Sequence, residues 1–67
     1  MVNTEMLRER IRGSGYKLGY VAEKCGLSYA GLHNKLCNGG EFRVKELKAL
    51  KDLLGLTDED MGDIFFA

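Results

Sequence analysis

Residues 18–39, LGYVAEKCGLSYAGLHNKLCNG, constrain the fold more than any other part of this chain, because they spell two short helices joined by a tight glycine turn. Val21 and Ala22 open an apolar face, Cys25 continues it a turn later, and Gly26 ends the helix, since glycine takes up positive φ without a Cβ clash. Leu27 plugs the corner. Ser28 has the hydroxyl of an N-cap residue, and Leu32 with Leu36 supplies the next helix with a buried stripe at i, i+4. Helices this short are not stable alone in water, so the pair must lean on other elements.

The flanking sequence supplies those elements. Thr4 is expected to cap a first helix over about 5–12, with Leu7 and Ile11 facing inward. Gly13-Ser14-Gly15 breaks it, and Tyr16 leads into the second helix, over about 18–24. Gly19 weakens that helix by about 1 kcal/mol relative to alanine. Beyond the third helix, Asn38-Gly39-Gly40-Glu41 has loop composition, and Phe42 returns the chain to the core. The fourth helix, over about 44–54, is expected to carry Val44, Leu47, Leu50, Leu53 and Leu54 on one side, and Gly55 ends it. Thr57 caps a last turn or two, with Asp58, Glu59 and Asp60 at the positive end of the helix dipole and Met61, Ile64 and Phe65 on an apolar side. There is no proline and little alternating β-branched pattern, so the fold class is all-α: a compact bundle of about five short helices. A chain of 67 residues buries only about 60% of its unfolded surface, enough for one small core and a single domain over 1–67.

Several functions are excluded by what this composition lacks. No apolar run reaches the roughly 18 residues of a membrane span, and there is no apolar signal core, so a cytoplasmic protein without a membrane partner is expected. One histidine, no phosphate-cradling glycine loop and no paired carboxylates in a cleft argue against an enzyme, a cofactor or a small-molecule substrate. His33 and Cys37 stand at i, i+4 as metal ligands can, but Cys25 sits on an apolar face, and the usual four-ligand zinc pattern is absent. Both cysteines are expected to be free thiols.

Net charge read as a whole-chain average argues weakly against nucleic acid, but its distribution leaves room for a polyanion. The formal net charge is zero, yet residues 1–56 hold all ten Lys and Arg against six acids, a balance of +4. The remaining four acids, Asp58, Glu59, Asp60 and Asp63, lie in residues 57–67, where the acidic end can be held away from phosphate. On the third helix, with Leu32 at 0° and Leu36 at about 40°, the exposed side centres near about 200°. Asn34 falls there and Ala30 at about 160°, flanked by Gly31 and His33. Asparagine can bond adenine through N6 and N7, and alanine can touch a thymine methyl. Tyr29, at about 60°, is open to helix packing or to a groove contact.

Ala22, Gly26 four residues on, then Leu27, Ser28 and Leu32, resemble the Cro/CI (XRE-like) class of helix-turn-helix regulators of phages and mobile elements. The resemblance covers nearly the whole chain, with the helix-turn-helix at about 18–37. It implies a lambda-repressor-like DNA-binding domain that blocks a promoter by occupying a double-stranded operator. Carried over residue by residue, it implies base contacts from Tyr29, Ala30, His33 and Asn34 and phosphate contacts from Lys17 and Ser28. Lys35, Arg43 and Lys45 lie near the same helix and are further candidates for phosphate contact, with solvated charge as the alternative. The chain departs from the family in having no Gln or Arg at the start of the third helix, and Gly40 and Glu41 stand where Cro has basic residues.

The resemblance also implies a homodimer. Phe65 and Phe66 are the candidate contacts, because consecutive helical residues cannot both face one core, though both could fold over its edge. A protein-interaction module on the same fold, antitoxin-like or an accessory phage protein, is the competing reading, consistent with zero net charge and sparse readout side chains.

Overall fold

The computed structural model describes residues 2–66, which form five helices. Helix α1 (Thr4–Ser14) starts one residue before the expected position: Asn3, not Thr4, is the cap, its Oδ1 accepting the Met6 N–H at 3.1 Å. Asparagine outranks threonine at this position. The Asn3 N–H donates to the Ile64 carbonyl at 2.6 Å, tying the start of α1 to the end of the chain. The helix also runs through Gly13. Its stop is Gly15, at φ 81°, after Ser14 has donated its hydroxyl to the Ile11 carbonyl at 2.5 Å.

Helix α2 (Leu18–Cys25) ends at Gly26 in the left-handed region, with the Leu27 N–H reaching back to the Ala22 carbonyl at 2.9 Å. That i to i−5 bond closes the turn and drops Leu27 between the helices. Helix α3 (Tyr29–Asn38) begins as expected, Ser28 Oγ accepting the Gly31 N–H at 3.0 Å. Helix α4 (Val44–Leu54) begins with the Glu46 carboxylate accepting the Arg43 N–H at 2.9 Å. Helix α5 (Asp58–Phe65) opens with a capping box, in which Thr57 Oγ1 accepts from the Asp60 N–H and Asp60 Oδ2 from the Thr57 N–H, each at 3.0 Å.

The core collects Leu7 and Ile11 of α1, Val21, Ala22 and Cys25 of α2, Leu32 and Leu36 of α3, Leu50 of α4, then Leu56, Ile64 and Phe65. Helix α2 packs on α3 and α4, while α1 crosses α3, α4 and α5. Ala22 is only 1% exposed at this junction, where a larger side chain would part the helices.

Helix α4 departs from its expected apolar face in one respect. Val44 is 80% exposed, while Glu46 is buried. Helix geometry explains both: Glu46 lies four residues before Leu50, about 40° away, whereas Val44 lies six before it, about 120° away. Among the described residues no helix is long and apolar enough to cross a membrane.

The acidic end is pinned to the body by ion pairs from Arg10 to Asp60, 2.7 Å, and from Lys51 to Asp58, 2.5 Å. The Thr57 N–H, with Arg10 adding to it, holds the Asp60 carboxyl below its ordinary 3.8 despite some desolvation. Lys51 does the same for Asp58. A carboxyl depressed on folding contributes stability that is complete above its unfolded pKa and is lost as pH falls through the folded one. Stability is therefore expected to decline below about pH 4, and Asp60→Asn to flatten that acid limb in a series of urea titrations. An unchanged acid limb in the variant would show that these contacts contribute nothing.

Candidate nucleic-acid interface

The outward side of α3 carries Tyr29, Ala30, His33, Asn34, Cys37 and Asn38, all exposed. The four residues expected there, Tyr29, Ala30, His33 and Asn34, thus lie on one continuous surface. Tyr29 is 58% exposed and stacks on His33, ring centroids 6.0 Å apart, so its ring lies on the surface and not in the core. Asn38 donates its amide N–H to Asn34 Oδ1. This orients the Asn34 amide, leaving Nδ2 and one Oδ1 lone pair for a partner.

Cys37 and Asn38 also belong to this surface, beyond the four residues expected there. Helical spacing could have found both: from Leu32 they fall at about 140° and 240°, either side of the exposed centre. Arg8 and Arg12 of α1 were missed for a different reason. They share the walls of an open groove of about 330 Å³ with Tyr16, Leu18, His33 and Cys37, a juxtaposition made only by the α1–α3 crossing.

The basic candidates divide. Lys17 precedes α2 and is exposed, and Arg43 and Lys45 are exposed at the start of α4. The described ion pairs involve none of these three, nor Arg8 or Arg12. Ser28 is exposed, with its hydroxyl engaged in the α3 cap.

Lys35 is a correction. Its ammonium donates to the Glu41 carbonyl at 2.5 Å, lies 3.4 Å from Glu46 Oε1 and sits over the Phe42 ring, 5.1 Å from the centroid. A cation so engaged clamps the 39–43 loop, and its contacts are made within the chain. Gly40 fits this clamp, since a Cβ there would come within 3.1 Å of Lys35 Cγ.

Phe65 is the second correction. It is buried and meets Phe42 edge-on, centroids 5.7 Å apart, so of the two aromatic residues only Phe66, 69% exposed, is available to a partner. It borders an open groove of about 560 Å³ with Val2, Phe42 and Leu47.

Tyr16 and Tyr20 pair at 5.2 Å on the surface, with the Lys24 ammonium 5.3 Å from the Tyr20 ring. Gly19 lies beside them. A Cβ there would meet nothing nearer than Tyr29 Cδ2 at 3.9 Å, ordinary contact, so packing within the chain does not require this glycine.

Both cysteines are free, Cys25 buried and Cys37 exposed. Burial, then the charge of Glu46, pushes the Cys25 thiol up. Among the described residues, no three His, Cys, Asp or Glu side chains come together as a metal site would need. The surface therefore offers hydrogen-bonding and aromatic groups bordered by cations, a composition suited to contact with a polyanion. Comparison with protein families, with curated proteins and with solved structures finds no match.

Proposed function

We propose that this chain is a sequence-specific DNA-binding regulator of the Cro/CI kind, acting as a repressor that occupies an operator in phage or mobile-element DNA. The observation that carries this reading is the exposed side of α3, where Ala30, Asn34 and the Tyr29–His33 stack stand beside Arg8 and Arg12, which none of the described ion pairs engages. In this mechanism α3 enters the major groove, Asn34 bonds an adenine edge and Ala30 meets a thymine methyl. Lys17, Arg12, Arg43 and Lys45 set the register on phosphates, supplying affinity with little sequence information. No catalytic step is involved.

The longest dimension of the protein, 26 Å, is shorter than the roughly 34 Å between successive half-sites of a palindromic operator, so reading two half-sites requires two copies. Phe66 is the proposed contact between them. Phe66→Ser is expected to convert a sedimenting dimer to a monomer.

Selection of bound duplexes from a random pool, followed by titration of the winner at two salt concentrations, tests the operator reading. A palindrome is expected, with Asn34→Ala weakening it by about 1–3 kcal/mol, roughly 5- to 150-fold in Kd. No enriched sequence, or only weak binding abolished by modest salt, would favour the protein-interaction module. That second reading draws support from Phe66 and Val44, two large apolar side chains presented to solvent.

A further inference from the structure

The groove between α1 and α3 adds a thiol, to which the operator reading gives no role, to the imidazole and guanidinium groups beside it. Its walls hold the guanidinium groups of Arg8 and Arg12, the phenol of Tyr16, the imidazole of His33 and the thiol of Cys37, over a floor containing Ile11, Leu18 and Leu36. Cys37 Sγ lies 3.6 Å from His33 Nε2 and 3.9 Å from Nδ1, a nucleophile beside a base. At about 330 Å³ the groove is large enough for part of a small molecule and open enough to admit it. The two arginines come from a different helix and define the charge of what it would accept.

We propose that Cys37 is a thiol-modification site for small acidic disulfides of the oxidised glutathione type, with His33 as the proton acceptor and Arg8 and Arg12 holding the carboxylates. The thiol proton passes to the imidazole as Cys37 Sγ attacks one sulfur of the disulfide. A bond forms between Cys37 Sγ and that sulfur while the original S–S bond breaks. The leaving thiolate takes up the proton, so the products are the mixed disulfide on Cys37 and one free thiol. Cys37 is oxidised and the departing half is reduced. Cys25, enclosed by the core at 3% exposure, takes no part.

The modification does not depend on DNA binding. Its regulatory consequence rests on the proposed function, because the adduct places extra carboxylates on the outward side of α3 and covers two of the cations beside it.

The test is intact-mass kinetics on the full chain, with oxidised glutathione as an acidic disulfide and cystamine as a basic one, and peptide mapping to locate the adduct. One glutathione per chain is expected, on Cys37 and not on Cys25. The ratio of glutathione to cystamine rates is expected to fall by about threefold or more in Arg8→Gln/Arg12→Gln. His33→Asn is expected to slow both reagents by about threefold or more. All variants alter exposed side chains, and circular dichroism checks that they fold. Adduct on Cys25, a rate ratio indifferent to the arginines, or rates indifferent to His33 would each overturn the proposal. Titration of the glutathione adduct against the selected duplex reads the consequence separately: weakened binding supports a switch, and unaltered binding removes the switch while leaving the modification site intact.

Discussion

Leu50→Ala is expected to remove about 2–5 kcal/mol of stability, enough to unfold much of the population. Leu50 is fully buried on α4, within the cluster contributed by every helix. Truncation removes the transfer energy of the lost carbons and leaves a cavity that five crossing helices cannot close. A domain of 67 residues has only roughly 3–10 kcal/mol in total, so one such loss is a large fraction of it. Urea denaturation followed by circular dichroism would show the midpoint falling by about 2 M or more with little change in slope. Val44→Ala is the control on the same helix: at 80% exposure, its effect is expected within about 0.5 kcal/mol. Equal effects at the two positions would contradict the orientation of α4.

Lys35→Met is expected to cost about 1–3 kcal/mol of stability while leaving DNA affinity per folded molecule unchanged. Methionine keeps an apolar stem near Phe42 but removes the ammonium that meets the Glu41 carbonyl and the Glu46 carboxylate. Glu46, whose side chain is 8% exposed, would keep the Arg43 N–H and lose its cation. A carboxylate left buried without its countercharge is costly, whereas removing both charges costs much less. The double variant Lys35→Met/Glu46→Gln should accordingly recover part of the loss, as a double-mutant cycle would measure. An unchanged urea midpoint combined with weakened duplex binding would instead return Lys35 to the phosphate-contacting surface.

Both predictions turn on distinctions that residue type alone does not make. Leu50 and Val44 are both aliphatic and share one helix, and Lys35 is as hydrophilic as Lys17. Periodicity within α3 was a better guide, because Leu32 and Leu36 leave so little choice of buried side that the exposure of Ala30, His33 and Asn34 follows from 100° per residue. The start of α1 was less legible, since Asn3 and Thr4 are adjacent and both can cap; contact with the Ile64 carbonyl accompanies the choice of Asn3. Arg8 and Arg12 stand four residues apart on α1, but nothing local places that face beside His33 and Cys37.

The sequence by itself determined where helices stop and which residues seek the interior. Gly26 and Gly55 take the left-handed conformation that ends α2 and α4, Ser28 and Thr57 cap the helices that follow, and apolar residues four apart, Leu7/Ile11, Val21/Cys25 and Leu32/Leu36, define the buried sides of α1, α2 and α3. These are local effects, set by steric freedom and hydrogen bonding within a few residues. Tertiary structure decided what happens to the charged and aromatic side chains. Glu46 is buried because the adjacent α3 supplies Lys35, Phe65 is enclosed because Phe42 returns across it, and the α1–α3 groove exists because those helices cross. The physical reason is that burial of a charge or an aromatic edge depends on a partner distant in sequence, and no local pattern specifies that partner.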